Sequence, residues 1–300
     1  MNPYFKDYAE YLSEFFPNEK IQKISVNTGN TCPNRDGTLG YGGCIYCDNS
    51  SFTPGYCFTV KGVGEQLEEG KKFFSRKYPR MRFLAYFQSY TGTHRNDPAI
   101  LHSYYREALD TEGIAGIIIG TRPDCLPDNI IKLLSQLNQE APVFVELGVE
   151  TCHDETLKRV NRRHTFSQAE DAICRLSEYG LHTGVHLIAG LPGENRDMIL
   201  HTVQKVCSLP VESIKLHHMQ ILHGTPLHKL RMEHKIEIRP FELSEYIDLC
   251  IEIVRLVPRS IAIERFLASA PPEKVTAPKW GIKNYEFTHL LLKQLSKNMI

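Results

Sequence analysis

Short apolar runs alternate with segments of helical periodicity along the first 220 residues. Six runs have the length of buried strands, and the segments between them repeat apolar positions every three to four residues, as amphipathic helices do. The predicted strands are 24–27, 82–88, 116–121, 143–150, 182–189 and 213–220. The predicted helices are 63–78, 98–109, 127–140, 167–179 and 197–208. This alternation predicts an α/β fold with a parallel sheet.

The pattern changes after Gln220, where turns and helical stretches replace the alternation. Pro271, Pro272 and the run A-P-K-W-G at 277–281 interrupt any regular element near the end of the chain. We therefore predict a barrel-forming part over 1–220 and a C-terminal helical and loop cap over 221–300.

The composition narrows the class of protein. A chain of 300 residues with 42% hydrophobic content is sufficient for one sizeable α/β domain. Its 35 basic and 35 acidic residues cancel, so bulk charge does not indicate a nucleic-acid partner. No apolar run is long enough for a bilayer, and the first residues resemble no signal peptide. We expect a cytoplasmic protein with reduced thiols and no membrane partner.

Three cysteines suggest the chemistry. Cys32, Cys44 and Cys47 lie in C-P-N-R-D-G-T-L-G-Y-G-G-C-I-Y-C, a loop whose four glycines allow the backbone to close round a compact group. Three thiolates can hold a [4Fe–4S] cluster and leave one iron open, whereas four fill it. Zinc is the alternative, although the nearest further cysteine, Cys57, is ten residues away. An odd count of nine cysteines argues against disulfides.

This triad resembles the radical S-adenosylmethionine (SAM) superfamily, whose usual spacing has three and then two intervening residues. The eleven residues between Cys32 and Cys44 are similar to the Elp3-like branch and to the bacterial YhcC/YtqA family. The segments that agree with the second are Y-F-Q-S-Y-T-G-T-H, V-E-L-G-V-E-T, G-V-H-L-I-A-G-L-P-G-E, H-G-T-P-L and A-P-K-W-G. The resemblance implies a partial (β/α)6 TIM-type barrel with a cluster loop at 32–47, and an enzyme that uses a [4Fe–4S] cluster and SAM.

Polar residues follow the predicted strands, where β/α barrels place their active sites. Gln88, Tyr90 and Thr91 stand where the superfamily carries a glycine-glycine-glutamate turn that binds the SAM amino group. The resemblance implies that their backbone carbonyls, and the Gln88 side chain, take that role. An ordinary strand-to-loop turn is the alternative.

Two carboxylates share one face of the fourth strand, because Glu146 and Glu150 are four residues apart. Buried carboxylates need partners. The resemblance implies that Glu150 contacts the ribose hydroxyls or the amino group of SAM. Glu146 has either a similar role or a structural pairing with a cation such as Lys215.

Further SAM contacts follow from the resemblance. The segment 184–194 is similar to the adenine-binding element, which implies that Ile188 and Leu191 pack on the ring. Arg162 in R-V-N-R-R-H-T would hold the SAM carboxylate, unless it is a solvated surface residue.

Some features favour RNA as substrate. A basic stretch over 71–82 includes aromatic residues and a second basic cluster spans 159–164, which suits phosphates and bases or is only a solvated face. The resemblance implies tRNA, because Elp3-like enzymes act on the wobble uridine. YhcC/YtqA proteins are linked to conversion of 5-carboxymethylaminomethyluridine into 5-aminomethyluridine there. The expected partners are tRNA and an electron donor such as flavodoxin or ferredoxin.

The candidates for catalytic contacts with substrate are His217, Gln220 and Arg265, because a modified base needs a cation for any carboxylate and a plane for stacking. Lys279 and Trp280 in the cap are further candidates, with Trp280 alternatively a packing anchor.

Two alternatives remain open from the sequence. One is a radical SAM oxidoreductase acting on a small metabolite or tetrapyrrole, because H-G-T-P-L is also similar to coproporphyrinogen dehydrogenase relatives. The other is a non-catalytic protein whose three cysteines hold zinc for structure.

Overall fold

The computed structural model describes residues 2–75, 81–94 and 97–297. The strands in these ranges are β1 Ile21–Val26, β2 Arg82–Phe87, β3 Ile114–Thr121, β4 Val143–Glu150, β5 His182–Ala189, β6 Ser213–His218, β7 Ile221–Leu222, β8 Ala262–Arg265 and β9 Val275–Ala277. Seven of them form one sheet in the order β1-β2-β3-β4-β5-β6-β8, with every neighbouring pair parallel. The short strands β7 and β9 pair antiparallel beside it.

The seven-stranded sheet curls into a half-barrel. Lys23 lies on β1 and Glu264 on β8, the two edge strands, yet Lys23 Nζ is 2.7 Å from Glu264 Oε2. Side chains from opposite edges can meet only if the sheet is strongly bent, as in barrels. The predicted α/β partial TIM-type barrel is therefore confirmed, with seven strands instead of six.

Helices surround the sheet, most of them on its outer face. They are α1 Tyr8–Ser13, α2 Val63–Ser75, α3 Pro98–Asp110, α4 Asp128–Asn138, α5 Asp154–Arg159, α6 Phe166–Glu178, α7 Arg196–Cys207, α8 Pro226–Met232, α9 Leu243–Leu256 and α10 Asn284–Lys297. Residues 76–78 of the first predicted helix lie outside the described ranges. The helix predicted from Ser167 begins one residue earlier, because Thr165 is its N-cap and forms a capping box with Gln168.

The seventh strand was not predicted. Ala262–Arg265 lies inside the segment predicted as a cap of helices and loops, but its backbone pairs with β6. The segment is only four residues long and half of them are charged, so it lacks the apolar run that marks a buried strand. The boundary at residue 220 stays a prediction.

Apolar side chains fill the layer between the sheet and the outer helices, with Ile117, Leu134 and Val145 among those fully buried. The inner face is mixed: Ile118 and Phe144 pack there against the N-terminal helix, while Glu146 and Lys215, each 4% exposed, are charged. The charged part of the concave side is suited to a ligand. None of the helices in the described ranges combines the length and apolarity that crossing a membrane requires.

Candidate active site

A cavity of about 550 Å³ opens at the carboxyl ends of the parallel strands. Twelve of the thirteen predicted site residues line it: Cys32, Cys44, Cys47, Gln88, Tyr90, Thr91, Glu150, Arg162, Ile188, His217, Gln220 and Arg265. Leu191 does not; it is buried beside the cavity, in the cluster that includes Val160, Met219 and Leu227. The roles of these residues stay predictions, but the fold brings them to one place.

The loop over 32–47 carries the cysteines across the cavity. The amide of Arg35 donates to the Cys32 carbonyl at 2.8 Å, and the amide of Cys47 donates to the Cys44 carbonyl at 3.0 Å, so each end forms a tight turn. Gly43 has a φ of 78°, and a Cβ there would lie 2.8 Å from Arg35 Nε. Glycine is therefore required at this position on both counts.

The three sulfur atoms suit a cluster better than a single ion. They are free thiols and do not all lie within 4.8 Å of one another, whereas two thiolates on one zinc ion are about 3.8 Å apart. Arg162 Nη1 and Asn34 Nδ2 lie 3.7 and 3.8 Å from Cys44 Sγ, as donors to cluster sulfurs do. Burial raises the pKa of the Cys47 thiol to about 11, and a bound cation would favour its thiolate. These residues fit a [4Fe–4S] cluster.

Glu150 and Arg162 form a buried pair beside the cysteines. Glu150 Oε1 lies 3.3 Å from Arg162 Nη2, which also donates to the Gly148 carbonyl at 2.5 Å. Arg162 is 8% exposed, so the solvated alternative is wrong. Glu150 has a φ of 69°, a left-handed conformation that costs about 1–3 kcal/mol for a residue with a side chain and that clusters at functional sites.

The segment after β2, which includes Gln88, Tyr90 and Thr91, makes mainly polar contacts with its surroundings. Gln88 Nε2 donates to Ser25 Oγ at 2.6 Å and to the Phe52 carbonyl at 3.1 Å. Tyr90 has a φ of 53°, and the Arg35 guanidinium lies 5.5 Å from its ring centre. The Thr91 hydroxyl is buried and has no protein partner among the described residues. It is therefore available to a ligand.

Sequence reasoning missed Arg122, which also lines the cavity. Its Nε and Nη2 form a bidentate pair with Asp124, each at 2.8 Å, while Nη1 is buried without a partner in the described chain. The run R-P-D directly follows β3, so the rule that active-site residues follow barrel strands could have found it.

A neutral charge network forms the floor of the cavity. Glu146 accepts from Lys23 at 2.7 Å, Lys215 at 2.9 Å and Tyr86 at 2.6 Å, and Glu264 lies 2.9 Å from Lys215. Of the two alternatives for Glu146, the structure shows the pairing with Lys215. Two carboxylates and two ammonium groups cancel, so the floor adds no net charge to the cavity.

Arg122 and Arg162 each have a carboxylate partner, whereas Arg35 and Arg265 line the cavity without one among the described residues. No carboxylate of the described residues lies within ion-pair distance of Arg265, and its Nε is buried without a partner. Its Nη2 lies 3.4 Å from Nδ1 of His217. Burial and the adjacent Arg265 charge hold the pKa of His217 well below its usual value, so this imidazole is neutral. A half-buried guanidinium with a buried Nε and no counter-ion is a candidate site for an anionic group.

The other substrate candidates have structural contacts. Gln220 Oε1 accepts from the Ala270 amide at 3.3 Å. Trp280 stacks on His218 at 4.5 Å and donates to the Phe241 carbonyl at 3.2 Å, as the packing-anchor alternative expects. Trp280 and Lys279 do not line the cavity.

The remaining candidates lie elsewhere. Cys57 is buried and donates to the Ser25 carbonyl at 3.0 Å, and burial raises its pKa to about 12. Residues 76–80 of the first basic stretch lie outside the described ranges. In the second, Arg159 Nη1 donates to the Pro192 carbonyl at 3.2 Å.

Comparison with known proteins agrees with this site. The Radical SAM superfamily profile matches residues 26–206, and that of the Radical_SAM C-terminal domain matches 211–297. Over 285 residues the chain is 32% identical to YtqA of Bacillus subtilis, covering 95% of this chain and 87% of YtqA. Over 263 residues it is 36% identical to YhcC of Escherichia coli, covering 87% of this chain and 83% of YhcC. The chain belongs to the radical SAM superfamily and, within it, to the family of YhcC and YtqA.

More distant proteins share the fold or part of the sequence. The structure resembles that of Elp3 from Methanocaldococcus infernus with a TM-score of 0.68 and 16% identity, covering 93% of this chain and 63% of that chain. A tRNA uridine(34) acetyltransferase of Dehalococcoides mccartyi is 30% identical over 172 residues, 56% of this chain and 36% of that protein.

The family settles the class of activity. The protein is a radical SAM enzyme that uses a [4Fe–4S] cluster and SAM and needs a reductant. The non-catalytic zinc protein is therefore excluded.

Proposed function

We propose that this enzyme acts on the wobble uridine of tRNA and converts 5-carboxymethylaminomethyluridine into 5-aminomethyluridine. The observation that carries the proposal is Arg265, a cavity-lining guanidinium with no carboxylate partner among the described residues. The carboxymethyl group of the substrate provides the anion that this cation lacks, and the product does not carry it.

The cavity offers residues to bind both the cluster and SAM. Cys32, Cys44 and Cys47 would hold the cluster, and Glu150 with Arg162 would orient SAM. When bound, the cofactors supply a 5′-deoxyadenosyl radical that removes a hydrogen atom from the substrate. Arg122 is a second cation for the SAM carboxylate, because its Nη1 is free in the described structure.

The substrate change balances as an oxidation followed by hydrolysis. Loss of two hydrogen atoms across the bond between the amine nitrogen and the carboxymethyl carbon gives an imine. Water then cleaves the imine to the primary amine and glyoxylate. One of the two hydrogens leaves as a hydrogen atom to the 5′-deoxyadenosyl radical. The other leaves as a proton and an electron, and the electron passes to a one-electron carrier such as flavodoxin or ferredoxin. Neutral His217, 3.4 Å from Arg265, is a base beside the bound carboxylate that can take this proton, while the hydrolysis itself releases none.

The mouth of the cavity suits an extruded nucleotide. Phe52 and Tyr90 line it and are 38% and 42% exposed, and Arg35 lies against the Tyr90 ring. Exposed aromatic rings and guanidinium planes are the surfaces on which unpaired bases stack. The partial similarity to a tRNA uridine(34) acetyltransferase supports the same substrate. We place the reaction in the cytoplasm, where tRNA and reduced thiols occur together.

The test is anaerobic turnover of tRNA that carries 5-carboxymethylaminomethyluridine, with mass spectrometry of the nucleosides. We expect 5-aminomethyluridine from the wild type and from Arg259→Gln, a control at an exposed arginine outside the cavity. Arg265→Gln should lose conversion but still cleave SAM, because its cofactor site is intact. Full conversion by Arg265→Gln, or turnover of a tetrapyrrole instead of tRNA, would contradict the proposal.

A further inference from the structure

We propose that Cys152, His153 and His201 bind one divalent transition-metal ion, best matched by Zn²⁺, at a site separate from the cluster loop. None of the three lines the active-site cavity. Cys152 and His153 lie in the turn between β4 and α5, and His201 lies on α7. The inference does not depend on the proposed reaction.

The geometry is close to that of an occupied site. One ligand atom from each residue lies within 4.8 Å of the other two. Cys152 Sγ and His201 Nδ1 are 3.7 Å apart, and a thiolate and an imidazole on one tetrahedral zinc ion are about 3.6 Å apart. These three ligand atoms are close enough together for one ion, whereas the sulfur atoms of Cys32, Cys44 and Cys47 are not.

The surrounding contacts orient two of the ligands. His153 Nε2 lies 3.0 Å from the Met198 carbonyl, so this nitrogen donates and Nδ1 keeps the lone pair. A metal-binding histidine characteristically donates its other nitrogen to a carbonyl or carboxylate. The Thr202 hydroxyl donates to Cys152 Sγ at 3.3 Å, which stabilises a thiolate.

Two nitrogen ligands and one thiolate favour zinc over the harder cations, which prefer oxygen. His201 is exposed, so water can occupy the fourth position. The ion would join the turn after β4 to α7, where Thr151 Oγ1 already lies 3.2 Å from Thr202 Oγ1. The Thr151 hydroxyl also donates at 2.5 Å to Glu194, which precedes α7. Because Glu150 is two residues before Cys152, the site would also fix the backbone that carries this cavity residue.

The test is metal binding by cluster-loaded enzyme, measured as zinc per chain after dialysis against a weak chelator. We expect one zinc per chain in the wild type and in Cys174→Ser, a control at an exposed cysteine on α6. His201→Gln, at an exposed position that should not affect folding, and Cys152→Ser should each bind zinc about 10-fold or more weakly. Zinc should raise the Tm of the wild type but not of these two variants.

Cobalt substitution provides a second readout. In a Cys32→Ala, Cys44→Ala, Cys47→Ala background, Co²⁺ should give a thiolate charge-transfer band and tetrahedral visible bands that Cys152→Ser removes. Zinc affinity unchanged in His201→Gln, or a cobalt spectrum that persists in Cys152→Ser, would overturn the proposal.

Discussion

Arg162 is the residue through which the cysteine loop and the fourth strand are connected. It contacts Cys44 Sγ at 3.7 Å, Glu150 Oε1 at 3.3 Å and the Gly148 carbonyl. A Cβ on Gly148 would lie 2.5 Å from Arg162 Nη2, so glycine is required for the guanidinium to approach the strand. One planar cation thus contacts both a candidate cluster ligand and the candidate SAM ligand.

Arg162→Lys should weaken SAM binding by about 10- to 100-fold, since an ammonium cannot make the three contacts of the guanidinium fork and each charged hydrogen bond contributes about 1.5–3 kcal/mol. It should also change the EPR signal of the reduced cluster, because a donor to Cys44 is lost. Arg163→Lys is the matched control, since Arg163 is exposed and pairs with Asn161. Equal SAM affinity in both variants would show that Arg162 is only structural.

Sequence patterns reveal residues whose type and spacing are distinctive. The cysteine triad was recognisable because its closing C-I-Y-C pair in a glycine-rich loop resembles the radical SAM superfamily, although its first spacing is longer than usual. Glu150 was recognisable because a carboxylate ends an apolar strand. The environment of Arg265 was not predictable, since the absence of a counter-ion depends on where every acidic side chain lies in space. Arg122 was overlooked although its position after a strand was visible.

At the scale of elements, the half-barrel depends on a strand that propensity does not favour. β8 contributes Glu264 to the floor network and Arg265 to the cavity. It forms because β6 would otherwise be an open edge, and its two charged residues find partners or a ligand on the concave side. Strand–helix alternation therefore predicted six strands, while tertiary pairing determined the seventh.

The start of α6 gives an element-scale prediction. Thr165→Ala should lower the free energy of unfolding by about 1 kcal/mol, because the capping box with Gln168 is lost. Ser167→Ala, two residues on, should be close to neutral, since Ser167 is exposed and does not cap the helix. Urea denaturation of the wild type and both variants measures these two changes in the free energy of unfolding. A larger loss for Ser167→Ala than for Thr165→Ala would show that Thr165 is not the residue that caps this helix.

At the scale of the whole molecule, a buried charge network joins the two edges of the half-barrel. Lys23 on β1 contacts both Glu146 and Glu264 at 2.7 Å, and these carboxylates lie on β4 and β8. Breaking such a network by removing one partner leaves buried carboxylate charge without compensation. The network therefore stabilises the curled form of the sheet, in which β1 and β8 lie close together.

Lys23→Met should destabilise the protein by about 3–5 kcal/mol, the usual cost of an unpaired buried charge. Lys132→Met, at an exposed position on α4, is the control and should change stability by less than about 0.5 kcal/mol. Chemical denaturation measures both. A loss for Lys23→Met no larger than that of the control would mean that solvent already reaches the network.

Buried histidines give the molecule a pH dependence. Burial lowers the pKa of His164 and His218 to about 3 and also lowers that of His186 and His217. The unfolded chain therefore binds protons near pH 6.5 that the folded state does not bind until lower pH, so stability is complete above that value and falls as the pH decreases. Urea midpoints of cluster-free protein should decrease from pH 7 to pH 5. A constant or rising midpoint would contradict this.

The identity of the substrate is the central claim, and isotope transfer tests it most directly. A tRNA anticodon stem–loop carrying 5-carboxymethylaminomethyluridine, dideuterated at the carboxymethyl carbon, is incubated with reduced enzyme and SAM, and the mass of 5′-deoxyadenosine is measured. We predict one deuterium in 5′-deoxyadenosine, in step with formation of 5-aminomethyluridine. Unlabelled 5′-deoxyadenosine, with or without a change in the nucleoside, would show that the hydrogen atom comes from elsewhere and would contradict the account.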